Sequence, residues 1–243
     1  MVLRALRGAL GFLTRLPLGH DERAWEAFRR TPAAFPLAGY FVGALLALPF
    51  LLPAPDSTVA AVFLVTIYLV TGINHADGVA DLGDAAAVHG NREKRREVMR
   101  DTTTGVGAIL ALGIVLLGVA LAGLSLAALP LATAIGIVIA AEVGAKFGMA
   151  LLVCLGEPAH EGMGSGFVSE SNALAGPLLA ALPAAVFSVP TLAAVAGATL
   201  AAAAVGQWAT RRLGGVSGDV LGAANEIGRV LALHAGVIAW TLF

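Results

Sequence analysis

Long apolar runs alternate with short polar segments along this chain, and each run is close to the length of a transmembrane helix. A helix needs about 20 apolar residues to cross a bilayer. We predict seven spans, near residues 33–53, 57–75, 104–124, 131–155, 174–189, 191–209 and 229–243. The last three runs are short or closely spaced, so a bundle of six transmembrane helices is the alternative to seven.

Residues 1–18 follow another pattern, because basic residues interrupt the apolar ones at helical spacing. This pattern is typical of an amphipathic helix that lies on a membrane surface. We therefore predict an all-α fold with one integral membrane domain, residues 1–243, and no soluble domain within these residues. Residues 1–30 form its amphipathic cytoplasmic segment, and residues 76–103 form a cytoplasmic helical hairpin.

Composition agrees with a polytopic membrane protein, since 58% of residues are hydrophobic and 13% are charged. Soluble domains carry roughly 25% charged residues. A net charge of −1 gives no basic surface for nucleic acid, so we expect no nucleic-acid partner. The single Cys154 excludes a disulfide within the chain.

The basic residues predict the orientation. Of the 15 Lys and Arg, all but Lys146 fall in the segments 4–30, 92–100 and 211–229. Cytoplasmic loops retain Lys and Arg, so these segments, the N-terminus and the 76–103 hairpin are predicted to be cytoplasmic. Lys146 stands four residues after Glu142 inside the fourth span. The two either neutralise each other or let Lys146 reach a phosphate group, and we favour the phosphate contact because charges at membrane depth are costly.

The hairpin begins with a cluster of carboxylates at the end of the second span. On a helix, Asp81 lies about 40° from Asp77 and Asp84 about 20° from it on the other side. Carboxylates that share one face repel one another, and a divalent cation such as Mg²⁺ removes that repulsion. We predict Asp77, Asp81 and Asp84 as metal ligands, with Gly78 letting a ligand approach the backbone. A solvated acidic face is the plainer interpretation.

Residues 91–101 predict a second, basic helix with Asn91 as its N-cap. We expect an acidic helix that continues from the second span and then this basic helix, which ends at Asp101. Arg95, Arg96 and Arg100 would bind phosphate beside the metal. Two further segments, 156–173 and 210–226, are rich in glycine. They are compatible with anion-binding loops and with simple connectors.

The motif at residues 75–84, His-Ala-Asp-Gly-Val-Ala-Asp-Leu-Gly-Asp, resembles the H-x-D-G-x-A-D-x-x-D signature of the cobalamin synthase family. Segments 12–17, 35–39, 95–102, 105–107 and 215–223 resemble further family segments in the same order. The last of these contains Asp219, which we assign to substrate binding. The chain departs from the family at Thr102, Thr103 and Thr104, where the family often has a basic residue.

This resemblance implies a transferase that joins adenosylcobinamide-GDP and α-ribazole, or its 5′-phosphate. The products are adenosylcobalamin, or its 5′-phosphate, and GMP. It also implies Mg²⁺ as cofactor, and a distant likeness to CDP-alcohol phosphotransferases. We assign Asp101 and Asp84 as catalytic, with Asp101 either the base for the attacking hydroxyl or a second metal contact. The oligomeric state, including a homo-oligomer, stays open.

Two alternatives, another class of membrane transferase and an ion transporter, fit the sequence less well than the cobalamin synthase family. A CDP-alcohol phosphotransferase normally has an Arg where this chain has Asp81, and an aspartate-rich prenyltransferase has a second Asp-rich motif. An ion transporter would place its acids near the bilayer midplane and often shows internal repeats, whereas these acids follow the span and no repeat is visible.

Overall fold

A computed structural model describes residues 2–19, 21–159 and 173–243, and these residues form a bundle of helices. The helices are α1 (Val2–Leu13), α2 (Glu22–Arg29), α3 (Ala34–Ala47, extended by a 3₁₀ turn, Leu48–Leu51), α4 (Asp56–Thr71), α5 (Asn74–Ala87), α6 (Arg92–Arg100), α7 (Val106–Ala127), α8 (Leu131–Leu155), α9 (Ala175–Ala185), α10 (Val189–Arg212) and α11 (Gly218–Leu242). Most of the glycine-rich segment 156–173 lies outside the described residues.

Four helices in these ranges are long and apolar enough to cross a membrane: α3 with its 3₁₀ turn, α7, α8 and α10. A fifth crossing is added if α4 and α5, which meet at 98°, are taken as one broken span. The structure therefore supports a multi-pass membrane protein, but by length and composition it gives four or five spans rather than the predicted six or seven.

The prediction that the acidic helix continues from the second span is wrong. Helix α4 ends at Thr71, and Gly72 has a φ of 73°, in the left-handed region that favours glycine. The N-terminal segment packs against this break, where the Arg15 N–H donates to the Val70 carbonyl at 2.8 Å. Since α4 carries the apolar run and α5 carries the acids, we treat α4 as a crossing segment. Helix α5 then lies along the end of the bundle, outside the membrane-spanning segments.

The last three predicted spans also differ from the structure. The run near 174–189 forms only the 11-residue α9, which contains Pro183. The run 229–243 is the second half of α11, a helix of 25 residues that begins at Gly218. Residues 218–226 are thus helical, not loop, because Ser217 caps α11 by accepting a hydrogen bond from the Val220 N–H.

Helix α8 is the centre of the bundle, with 89% of its span buried. Helix α3 crosses it at Gly39 and Gly43, where an added Cβ would overlap the α8 backbone. Two hydrophobic clusters fill the interior, one toward the α5 end and one toward the opposite end. Charged side chains interrupt this apolar interior on α8 and α11, including Glu142 and Arg229, both almost fully buried.

The helix predicted within residues 1–18 is present as α1, and a second short helix, α2, follows it. Helices α1 and α2 pack through aromatic side chains, with the Phe12 and Trp25 rings 5.3 Å apart, and the Phe28 ring of α2 lies 4.7 Å from the Phe35 ring of α3. Leu3 on α1 stays 81% exposed. An exposed apolar side chain on an amphipathic helix is typical of contact with a membrane surface.

Candidate active site

Helices α5 and α11 touch backbone to backbone at the end of the bundle. A Cβ at Gly78 would overlap the backbone of Asp219, and one at Gly222 would lie 3.0 Å from the Cα of His75. Both contacts need glycine because side chains would separate the helices. The glycine of the acidic motif therefore packs against α11, and it does not leave open space for a ligand at its own Cα.

This crossing brings a fourth carboxylate to the acidic face. Burial, followed by the neighbouring Asp219, Asp77 and Asp84 carboxylates, raises the pKa of Asp81 from 3.8 to about 7. Asp219 has the largest influence among the three charges. Asp77 is exposed, while Asp81 and Asp219 are half-buried. Negative groups that raise one another's pKa in this way mark a place where a cation would be favoured.

Asp84 serves as the cap of the next helix. Its Oδ2 accepts from the Gly105 N–H at 2.8 Å, and its Oδ1 accepts from the Ala108 N–H at 2.9 Å. These are the amide groups that an α-helix leaves unpaired in its first turn. Since both oxygens are engaged at the start of α7, Asp84 is less available than Asp81 to bind a cation or take a proton.

No group of three or more His, Cys, Asp or Glu side chains in the described ranges is arranged to hold a metal ion. The predicted ligands Asp77, Asp81 and Asp84 thus share a face without forming a closed cage. The chemistry of this set still suits Mg²⁺, which is commonly held by one or two carboxylates, water and substrate phosphates. An open arrangement of this kind needs the substrate to complete it.

The basic helix is placed as expected, with Asn91 accepting from the Lys94 N–H at 3.0 Å. Two of its predicted phosphate ligands have structural partners. Arg95 is buried and donates to the Ala85 carbonyl, which ties α6 to α5. Arg96 donates to the Leu213 carbonyl at 2.6 Å. The geometry does not support a phosphate contact by Arg95.

Arg100 is exposed, and it lines a small cleft with Arg96, Ser217 and Asp219. The cleft places the end of the basic helix beside the first turn of α11. The side chains of Arg96, Arg100 and Asp219, predicted to bind substrate, are therefore neighbours.

Asp101 follows α6 and lines a cavity of about 340 Å³ together with Asp84 and the Thr103–Gly107 segment. Its Oδ1 accepts from the Thr103 N–H at 3.0 Å. This backbone hydrogen bond lowers the pKa of Asp101 below its ordinary value of 3.8. A lower pKa makes the carboxylate a weaker base, which favours its second predicted role, contact with a cation.

Lys146 does not reach the surface. It is fully buried and pairs with Glu142, and the Arg229 Nε also donates to Glu142 at 2.5 Å. The predicted phosphate contact by Lys146 is therefore not supported, and the mutual neutralisation with Glu142 is what the structure shows. Arg229, which the charge count placed in a cytoplasmic loop, lies inside α11 with no exposed surface.

Two features of this site are not predicted above. Asp219, predicted to bind substrate from a loop, lies on α11 with its carboxylate beside Asp81. Asn225 and Glu226, which have no predicted role, are buried beneath the crossing. The spacing of Asp219, Gly222 and Glu226 is helical and was the available signal.

Comparison with known proteins gives a consistent result. The cobalamin-5-phosphate synthase family matches residues 5–237. Adenosylcobinamide-GDP ribazoletransferase of Halorubrum lacusprofundi is 55% identical, with both chains covered completely. The proteins of the same name from Haloquadratum walsbyi and Ralstonia nicotianae are 46% and 34% identical, the latter over 98% of this chain and 96% of its own. No solved structure matches.

Proposed function

The chain belongs to the cobalamin-5-phosphate synthase family, and on that premise we propose that it joins adenosylcobinamide-GDP to α-ribazole or its 5′-phosphate. The ribazole hydroxyl oxygen bonds to the phosphorus attached to cobinamide and the hydroxyl gives up its proton, while the bond from that phosphorus to the GMP oxygen breaks and GMP leaves with the electron pair. The full-length match carries this conclusion. It also sets aside the ion transporter and the other transferase classes.

We place the reaction at the crossing of α5 and α11, with Mg²⁺ as the cofactor. The supporting observation is the set of carboxylates around Asp81, whose pKa is raised to about 7 by burial and by Asp219, Asp77 and Asp84. When bound, Mg²⁺ would neutralise charge on the pyrophosphate oxygens. Asp77, Asp81 and Asp219 would hold it, and the capping hydrogen bonds of Asp84 would fix α7 beside them.

The basic and acidic helices have complementary tasks in this proposal. Arg100 is exposed beside Asp219, so it is suited to contact a phosphate of the nucleotide. Arg96 is half-buried and positions the helix through the Leu213 carbonyl. Asp101 would touch the attacking hydroxyl or the metal from the cavity that it shares with Asp84. Phosphoryl transfer depends mainly on such positioning and charge neutralisation.

Helix direction supports seven crossings. Helices α8 and α10 run parallel, since Gly136, Gly144 and Gly148 approach Thr191, Val195 and Ala202 in the same order. Parallel spans need an odd number of crossings between them. The intervening α9 would supply one, although its 11 residues are short for a bilayer. With Lys and Arg retained inside, the N-terminus and the α5–α11 crossing would be cytoplasmic, in the cell membrane.

Product analysis tests the proposal. Purified protein in lipid nanodiscs is incubated with adenosylcobinamide-GDP, α-ribazole and Mg²⁺, and mass spectrometry follows adenosylcobalamin and GMP. Asp77→Asn and Asp81→Asn should each lower turnover by about a hundredfold, comparable to losing a main electrostatic contact.

The matched control is Asp56→Asn, an exposed acid at the start of α4, away from the crossing. It should leave turnover unchanged. Normal turnover of Asp81→Asn at limiting Mg²⁺ would show that this face does not hold the metal. Absence of both products from the parent protein would refute the proposed reaction.

A further inference from the structure

A chain of buried polar side chains lies directly beneath the crossing of α5 and α11. The Asn225 Nδ2 lies 3.1 Å from the His75 Nδ1 and donates to the Glu226 Oε1 at 3.0 Å. Glu226 in turn accepts from the Arg229 Nη1 at 2.5 Å. Arg229 also donates to Glu142 on α8, which pairs with Lys146. Helices α5, α8 and α11 are thus joined by hydrogen bonds and ion pairs through one network.

The network has no net charge, and it is buried away from water. Its two acids and two bases balance, and none of these four residues is more than 1% exposed. Replacing a buried ion pair by apolar side chains is often neutral or stabilising, so such networks are weak sources of stability. Their better-attested effect is to specify one register between packed elements. A register effect matters here because the network lies close to the carboxylates.

The geometry links the network to the carboxylates within two turns of helix. Asn225 follows Asp219 by six residues on α11, about 9 Å along the axis. His75 precedes Asp77 by two residues on α5. The backbone contacts of Gly78 with Asp219 and of Gly222 with His75 lie between them. Any slide of α11 along α5 would break the Asn225–His75 hydrogen bond and move Asp219 relative to Asp77.

The hydrogen bond also fixes the imidazole. Asn225 Nδ2 is a donor only, so His75 Nδ1 must accept, and the neutral ring carries its proton on Nε2. The ring is buried at 8% exposure, and the 3.9 Å separation from Glu226 is too long for a direct hydrogen bond. Asn225 is therefore the link through which α11 holds the first turn of α5.

We propose that His75 and Asn225 are positioning residues, anchored through Glu226 and Arg229 to α8, which hold the Asp219 carboxylate against those of Asp77 and Asp81. This proposal rests on the proposed function, because it assumes that these carboxylates bind the metal. A positioning partner of this kind commonly affects metal affinity by about tenfold to a hundredfold.

The test is a double-mutant cycle read by Mn²⁺ binding, measured by electron paramagnetic resonance on purified protein without substrates. Asn225→Leu and His75→Leu should each weaken Mn²⁺ binding by about tenfold. The double variant should be no weaker than either single variant, since both remove the same link. His75→Gln keeps an acceptor for Asn225 and should stay within about threefold of the parent.

Leu126→Ala is the matched control for lost stability, because Leu126 is fully buried on α7 and belongs to the cluster far from the crossing. It should lower the unfolding temperature and leave Mn²⁺ affinity unchanged. Single variants that bind Mn²⁺ within twofold of the parent would overturn the proposal, as would independent, multiplying effects in the double variant. The proposal would also be overturned if Leu126→Ala weakened Mn²⁺ binding as much as the His75 and Asn225 variants do. If Asp77→Asn and Asp81→Asn bind Mn²⁺ normally, the metal site itself is wrong and the positioning proposal fails with it, whereas the proposed reaction is tested separately by product analysis.

Discussion

Replacing Asp81 with Asn should change stability in opposite directions with and without Mg²⁺. In the metal-free protein, the charged Asp81 is held near Asp219 and Asp77 and partly removed from water. Asn has nearly the same shape and no charge. The variant should therefore be more stable than the parent when no cation is present, although it removes a residue of the proposed site.

The size of the stabilisation expected for Asp81→Asn follows from the pKa of Asp81. A change from 3.8 to about 7 corresponds to at most about 4 kcal/mol of unfavourable free energy for the ionised form. Asp81 is half-buried, and solvent screening at such a position leaves about 1–2 kcal/mol. For a chain of this length that is a rise of about 2–4 °C in unfolding temperature.

The destabilisation caused by ionised Asp81 depends on pH. Because the folded-state pKa of Asp81 is raised above its unfolded value, ionisation destabilises the fold fully at pH above about 7. The penalty shrinks as pH falls and is absent below 3.8. The gain from Asp81→Asn should thus be full at pH 8.5, about half as large at pH 5.5 and mostly lost at pH 4. With Mg²⁺ at a hundred times its dissociation constant, the parent gains about 2.7 kcal/mol by binding and should become the more stable protein.

Cys154 provides the assay, since it is the only cysteine and is buried. A thiol-reactive fluorophore will label it as the protein unfolds on heating, in EDTA and in Mg²⁺. For the control Asp56→Asn, the stability relative to the parent should be the same in EDTA and in Mg²⁺. If Asp81→Asn is the less stable protein in EDTA at pH 8.5, or if Mg²⁺ leaves the order unchanged, the carboxylates do not oppose one another in the way the structure indicates.

Three more predictions concern the surrounding contacts. Asp84→Ala removes the cap of α7 and should cost about 1–2 kcal/mol, measured by the same labelling assay. Gly78→Ala introduces a Cβ that overlaps the Asp219 backbone and should abolish turnover while the protein still inserts in the membrane, measured by product formation and by extraction from membranes. Arg100→Gln should raise KM for adenosylcobinamide-GDP by about tenfold with a smaller effect on kcat, measured by steady-state kinetics, since its contact would be equal in ground and transition states.

Local patterns were sufficient for the parts of the site that depend on neighbouring residues. The face shared by Asp77, Asp81 and Asp84 follows from helical spacing alone. Asn91 was identified as an N-cap because the residues after it form a helix whose first amides need an acceptor. Both features involve residues at most a few turns apart. The sequence therefore determines them without reference to the rest of the fold.

Distant partners were not predictable in the same way. The break after α4 depends on Gly72 meeting the N-terminal segment at Arg15. From the sequence, Glu142 and Lys146 form an isolated ion pair, because the third partner, Arg229, is 83 positions beyond Lys146. Hydropathy placed Arg229 at a loop, since a charged residue lowers the average of any window that contains it. The tertiary ion pair removes that cost only in the folded bundle.

Helix α11 shows how such a feature could have been found. At about 100° per residue, Asp219, Gly222, Glu226 and Arg229 all lie within an arc of about 80°. That single face meets α5 through Asp219 and Gly222 and meets α8 through Arg229. A glycine in the middle of a polar stripe indicates close approach of another backbone rather than a loop. The same stripe carries a carboxylate at its exposed end and balanced charges at its buried end, so the position of the carboxylate is tied to the core of the bundle.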